Sequence, residues 1–119
     1  MANPLKTFQW ENRLILVRTT PANQSELIRL LADEAPAIDE RHIVWFVFDG
    51  NDSTETNHTK PLPNDFSKRI NEAGYWESGH SVLLIGKDGG IKARQKALDL
   101  ELLFRRIDAM PMRRAEMRE

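Results

Sequence analysis

Residues 81–92 read SVLLIGKDGGIK, an apolar run followed by a glycine-rich turn and a second short run. The apolar residues 82–85 predict a strand, and residues 88–90 predict a tight turn, because glycine adopts the positive φ that such turns require. Along 91–94, apolar residues alternate with Lys and Arg, which gives a second strand one apolar face and one charged face. The stretch therefore predicts an antiparallel hairpin.

An earlier part of the chain predicts a parallel pair of strands. Residues 14–17 form a short apolar run bounded by turn signals, and residues 43–48 are continuously apolar, as in a strand covered on both faces. Between them, apolar residues recur at helical spacing after a capping box of Asn23 and Glu26, and Pro36 stops the helix. Strand, helix and strand in this order are typical of a parallel crossover.

Two further helices complete the pattern. One follows Pro63 and ends at Gly74, and the other begins after Asp99 and ends at Pro111. Residues 49–60 are polar and predict a solvent-exposed loop. The predicted order is βαβαββα, an α/β fold with a central four-stranded mixed sheet and helices on both faces, which is the thioredoxin-like arrangement.

The composition indicates one domain and limits its partners. The 119 residues are 40% apolar and 29% charged, as in one globular unit, and we expect residues 110–119 to form a flexible C-terminal tail. The net charge of −1 argues against nucleic-acid binding, and no apolar run is long enough to span a membrane. Residues 1–5 carry no leader pattern, which predicts a cytoplasmic protein, or a periplasmic or secreted one whose leader has been removed.

The absence of cysteine limits the chemistry. It excludes disulfides, thiolate metal sites and thiol redox catalysis by the chain alone. The three histidines lack metal-ligand spacing, so we expect no metal and no cofactor. Lys87 follows a glycine, but its neighbours do not match a phosphate loop, and it is interpreted as a solvated turn residue. Trp10 is interpreted as a packed aromatic, and Arg13 as a charge near the start of the first strand.

Three stretches resemble one family. Trp10-x-Asn12-Arg13, LIGKDGGxK at 84–92 and LFxxIDAMPMR at 103–113 are similar to the domain-of-unknown-function 4174 family. That family is bacterial, with related copies in vertebrate extracellular-matrix proteins that carry sushi repeats. The resemblance implies a thioredoxin-like, peroxiredoxin-related fold, and it implies that many relatives are exported. It implies no established activity.

A candidate binding surface follows from the predicted fold. In thioredoxin-like enzymes the nucleophile follows the first strand, at the N-terminus of the first helix, and here that position holds residues 19–23 without a cysteine. We therefore expect a non-catalytic binding or interaction module that recognises a protein partner rather than a small molecule. The candidate binding residues are Thr19, Thr20, Pro21, Gly79, His80, Ser81, Arg113 and Arg114.

An enzyme is the alternative hypothesis. It would use non-thiol groups, namely Thr20, His80 and a carboxylate such as Asp49 or Glu77, or else a cysteine supplied by a partner. Its signature would be a cleft in which these side chains converge.

Self-association is a third hypothesis. Leu102 and Ala109 project away from the predicted apolar stripe of the last helix, and methionines follow them in the tail. Apolar side chains in such positions predict a weak homo-oligomeric interface or a docking surface for the tail.

Overall fold

The structure is a computed structural model that describes residues 4–50 and 54–118. After a short 3₁₀ helix at Lys6–Phe8, the described chain forms five strands and five α-helices. In chain order these are β1 (Arg13–Arg18), α1 (Pro21–Asp33), α2 (Ala35–Glu40), β2 (Ile43–Phe48), β3 (Thr54–Thr56), α3 (Phe66–Glu72), β4 (Val82–Ile85), β5 (Ile91–Gln95), α4 (Leu100–Asp108) and α5 (Pro111–Met117).

The strands form one open mixed sheet in the order β3-β2-β1-β4-β5. β1 and β2 are parallel, and every other neighbouring pair is antiparallel. The predicted crossover and the predicted hairpin are therefore confirmed. The predicted number of four strands is wrong, because β3 lies within 49–60, which was expected to be a loop. Residues 51–53 of that loop lie outside the described residues.

Pairing with β2 explains why a polar segment forms a strand. β2 is buried along its whole length, so its backbone groups need hydrogen-bond partners on both sides. β3 supplies them along one half of that edge. The side chain of Asn57 continues the pairing: its Oδ1 accepts from the Trp45 N–H at 2.8 Å, and its Nδ2 donates to the Ile43 carbonyl at 3.2 Å.

Two apolar layers cover the faces of the sheet, as the alternation along β2 requires. Ile43, Trp45 and Val47 face a core that includes residues of α1, α2 and α4. The intervening residues face a second core that includes Phe66 and Ile70 of α3. No helix in the described part of the chain is long and apolar enough to cross a membrane.

Several helix boundaries differ from the predicted ones: α3 begins at Phe66 rather than at Pro63, and three other differences involve a proline within the first turn of a helix. α1 begins at Pro21, with Thr20 as its N-cap, rather than after Asn23. Pro36 and Pro111 stand in the first turns of α2 and α5, so each follows the end of one helix and begins another. Proline is favoured there because the first helical N–H groups have no intrahelical acceptor. The predicted Asp99 cap is confirmed, because its side chain accepts from the Leu102 N–H at 3.1 Å.

Candidate functional site

Charged side chains collect at the end of the sheet where β1 and β2 begin. Arg13 is the first residue of β1, and His42 immediately precedes β2. β4 is antiparallel to β1, so Lys87, two residues beyond its end, lies beside the start of β1. α5 lies against this end through Glu116. We call this group the ionic cluster; its members are Arg13, Glu40, Arg41, His42, Lys87, Asp108, Arg113 and Glu116.

Arg13 is the most deeply buried member, with 1% of its surface exposed. Both terminal nitrogens donate to the Glu116 carboxylate at 3.1 Å, and Nη1 also donates to the Arg41 carbonyl at 2.9 Å. Its Nε is buried and has no hydrogen-bond partner among the described residues. Burying a guanidinium lowers the stability of the fold unless a carboxylate pairs with it. The bidentate contact with Glu116 provides that pairing.

Glu116 is the common acceptor of the cluster. Besides Arg13, it receives a hydrogen bond from the Lys87 Nζ at 2.8 Å. Burial alone would raise the pKa of this carboxyl group, but the hydrogen bonds and positive charges of Arg13 and Lys87 lower its pKa to about 2. Lys87 is itself 8% exposed, so its interpretation as a solvated turn residue is wrong.

A second set of ion pairs joins α5 to the ends of α2 and α4. The Asp108 carboxylate accepts from Arg41 at 2.9 and 3.1 Å and from Arg113 at 3.2 Å. Arg113 also pairs with Glu40 at 3.1 Å. Burial would raise the pKa of Asp108, yet the two arginines hold it below its usual value. Burial would likewise lower the pKa of Arg113, and its acidic partners raise it.

Ion pairs rather than apolar contacts hold α5 in place. Arg113 is its only buried residue, Glu116 is half-buried, and Met112 and Met117 are exposed. The cluster contains four arginine or lysine side chains and three carboxylates, so it keeps one positive charge in excess. This end of the sheet therefore carries many charges but a net charge of only about +1.

Two residues beside Lys87 have left-handed backbone. The φ of Trp10 is 70° and that of His42 is 55°. The Trp10 N–H donates to the Lys87 carbonyl, and the His42 Nδ1 lies 2.8 Å from the Lys87 Nζ. Such backbone is costly for a residue with a side chain and is found where the surroundings enforce it, often at functional sites. Trp10 is also 61% exposed, so its interpretation as a packed aromatic is wrong.

An open cavity of about 540 Å³ adjoins the ionic cluster, and we call it the α5 cleft. One side is formed by the turn after β4, and the other by the junction of α4 and α5. Its lining residues are Arg13, Gly86, Lys87, Asp88, Lys92, Arg106, Ala109, Met110, Pro111 and Met112. The cleft thus combines four basic side chains, one acidic side chain and a run of apolar residues.

The structure brings two of the predicted binding segments together at the opposite end of the sheet. The Thr19 N–H donates to the Phe48 carbonyl at 2.7 Å, and the Arg18 N–H donates to the Ser81 carbonyl at 2.9 Å. The Arg18 guanidinium also donates to the His80 carbonyl at 2.7 and 3.0 Å. The segments Thr19–Pro21 and Gly79–Ser81 are therefore neighbours.

The other predicted residues do not join that surface. Arg113 and Arg114 belong to α5, at the opposite end of β1. Arg113 is 3% exposed, and its guanidinium is occupied by Asp108 and Glu40, whereas Arg114 is exposed.

No contact among the groups named for the enzyme hypothesis joins Thr20, Glu77 and His80 into a catalytic arrangement in the described part of the chain. The Glu77 carboxylate pairs with Arg94 at 3.3 Å. The His80 Nδ1 is buried without a hydrogen-bond partner in the described part of the chain, and Thr20 makes no side-chain cap. Three or more His, Cys, Asp or Glu side chains placed to hold a metal ion do not occur within 4–50 and 54–118.

Sequence reasoning missed the ionic cluster, although one signal pointed to it. The three stretches that carry the family resemblance all contribute here: Arg13 comes from the first, Lys87 from the second, and Asp108 and Arg113 from the third. Glu116 lies outside all three stretches. Only its contacts with Arg13 and Lys87 in the structure show that Glu116 belongs to the ionic cluster.

The fold and the cluster define a cysteine-free mixed α/β domain with a cleft beside a buried ionic cluster. The family model described as "Domain of unknown function (DUF4174)" matches residues 4–116, so the chain belongs to that family. This confirms the resemblance found in the sequence. Comparison with curated proteins and with solved structures gave no match.

Proposed function

We propose that the protein is a non-catalytic binding module that takes its ligand in the α5 cleft. The observation that carries this proposal is the cleft itself, an open cavity of about 540 Å³ bordered by the buried Arg13. Ligand sites in proteins are usually concave, largely apolar and equipped with a few polar groups held in place. The α5 cleft has these features.

The state of the acidic groups supports binding rather than catalysis. A general acid or base works best when its pKa lies near the working pH. Glu116 has a pKa of about 2, and Asp108 has a pKa below its usual value, so both stay ionised at neutral pH. Each is also held by two basic side chains. Such groups orient a surface, but they exchange no proton near pH 7.

The thioredoxin-like relationship is part of the same proposal. It is supported by the parallel pair β1 and β2 beside the antiparallel pair β4 and β5, with helices on both faces. In this proposal the scaffold has no cysteine after β1 and has its ligand site at the other end of that strand.

The loops Thr19–Pro21 and Gly79–Ser81 stay a second proposed recognition surface. They are neighbours at the end of the sheet opposite the ionic cluster. The enzyme hypothesis and self-association through Leu102 and Ala109 stay predictions.

A screen of small organic fragments by amide NMR on the full chain tests the proposal. We expect binders to shift the amides of residues 86–92 and 109–112. Ala109→Trp should abolish these shifts by filling the cleft. Ala73→Trp is the matched control, since Ala73 is also exposed and ends a helix with similar backbone angles.

The position of the shifts decides between the two ends of the sheet. Binders that shift residues 19–21 and 79–81, and that bind Ala109→Trp unchanged, would move the site to the loops. A screen without binders at either end would overturn the proposal of a small-ligand site.

A further inference from the structure

The basic side chains of the α5 cleft are not equally free. Lys92 is bound to Asp88 at 2.8 Å, and Arg13 and Lys87 are bound to Glu116. Arg106 is exposed on α4 and has no hydrogen bond or ion pair to a described residue. The cleft therefore presents one uncommitted guanidinium at its border.

The carboxylates near the cleft are already satisfied. Asp88 accepts from the Lys92 Nζ and from the Gly90 N–H at 2.9 Å, and its pKa is lowered by these hydrogen bonds. Glu116 is held by Arg13 and Lys87. A cationic ligand would find no free carboxylate among the described lining residues, whereas an anionic ligand would meet Arg106 and the excess charge of the cluster.

The remaining wall of the cleft is apolar. Ala109, Met110, Pro111 and Met112 follow one another along it, and Met112 is 43% exposed. Methionine adapts its shape to varied apolar ligands, because its side chain is unbranched and polarizable. An exposed methionine beside such a wall suits an apolar ligand body.

We propose that the α5 cleft binds a small amphipathic organic anion, with its acidic head group at Arg106 and its apolar body along Ala109–Met112. This inference rests on the proposed function and adds the ligand class to it. The cavity of about 540 Å³ has the size of a small-molecule site. The sequence favoured a protein partner, but the volume and the mixed lining favour a small ligand.

Four eight-carbon probes and the two-carbon anion acetate test the head group and the apolar body separately. Titrations of the full chain, followed by amide NMR, would use octanoate, octyl phosphate, octanol, octylammonium and acetate. We expect saturable shifts at residues 86–92 and 109–112 with octanoate and octyl phosphate, and binding at least about tenfold weaker with the other three. Whichever anion binds more tightly identifies the head group as a carboxylate or a phosphate ester.

Two neighbouring arginines of α4 provide the variants. Arg106→Gln should weaken octanoate binding by about tenfold, because it removes the uncommitted charge. Arg105→Gln should leave binding unchanged, since Arg105 pairs with Glu101 at 2.7 Å and does not line the cleft. Equal weakening by both variants would indicate a general charge effect and would overturn the head-group assignment.

Each other result also decides the question. Octanol or octylammonium binding as tightly as octanoate would overturn the requirement for an anion, and acetate binding as tightly would overturn the apolar body. If octanoate fails while other fragments bind the cleft, the ligand class is wrong and the proposed function stands. If octanoate binds Ala109→Trp unchanged, the cleft is not its site and the proposed ligand class fails; the proposed function fails as well if no fragment binds the cleft.

Discussion

β1 carries an arginine at each end, and the two are used in different ways. Arg13 is buried and donates to a carboxylate, whereas Arg18 donates to the carbonyls of His80 and Glu77 and lies 4.8 Å from the Trp76 ring. The partners of Arg18 are neutral and close to solvent. The partner of Arg13 is the carboxylate of Glu116, which lies on the C-terminal helix α5. The comparison shows that the more deeply buried of the two arginines lies away from the end where the sequence predicts recognition.

The two ends also achieve left-handed backbone differently. Near Arg13 it occurs at Gly89 of the turn after β4 and also at Trp10 and His42, which have large side chains. At the other end it occurs at Gly50 and Gly79, which adopt it without steric cost. The cluster end is therefore under strain that its neighbours enforce, and the loop end is relaxed.

Replacing the two arginines tests the comparison with the largest expected effect. Arg13→Met should lower the free energy of unfolding by about 3 kcal/mol, because Glu116 would lose its bidentate partner and keep Lys87 at 2.8 Å and Arg113 at 3.8 Å. Arg18→Met should cost about 1 kcal/mol, since the released carbonyls can bind water. Urea unfolding monitored by circular dichroism measures both. Equal losses would remove the distinction between the two ends.

Acid titration of Glu116→Gln sharpens the comparison. The folded pKa of Glu116 is depressed from 4.5 to about 2, so its stabilisation is complete above the unfolded pKa and is lost as the pH falls from about 5 to 2. This contribution is about 3 kcal/mol at neutral pH. Over that range we expect the unmodified protein to lose about 3 kcal/mol more than the variant. Parallel stability curves for the two proteins would contradict the role given to Glu116.

The difference in backbone predicts that a substitution at Gly79 lowers the free energy of unfolding and that one at Trp10 raises it. Gly79→Ala should lower the free energy of unfolding by about 1 kcal/mol, because its φ is 84° and no atom lies near enough to the new methyl group to add a packing term. Trp10→Gly should raise it by about 0.5 kcal/mol by relieving left-handed strain at an exposed residue. Thermal unfolding of both variants provides the measurement. A marked loss with Trp10→Gly would show that the exposed ring contributes more than its backbone costs.

The smallest effect is expected at the helix N-cap beside the predicted recognition loop. The Thr20 side chain makes no capping hydrogen bond, so Thr20→Ala should change the free energy of unfolding by less than about 0.5 kcal/mol. Asp99→Ala is the control and should cost about 1 kcal/mol, because it removes a formed cap. A larger loss for Thr20 than for Asp99, in the same urea assay, would contradict the structure of α1.

Much of the fold could be predicted because its signals are local. The turn at Gly89, the cap at Asp99 and the continuous apolar run of β2 each lie within a few residues of the structure they specify. β3 escaped prediction because Thr54–Thr56 has no apolar pattern and pairs only because β2 leaves an edge to be filled. The α5 cleft could not be predicted either, because its two sides come from separate parts of the chain and meet only in the folded structure.

Residue patterns alone thus specified the parallel pair, the hairpin and the family. The tertiary structure decided which charges meet: Arg13 and Glu116 are 103 residues apart, and Lys87 and Glu116 are 29 apart. Periodicity reports which face of an element is buried, because that depends on neighbours within a turn or two. It contains no information on which buried charge will neutralise another, because that pairing exists only after distant segments have packed together.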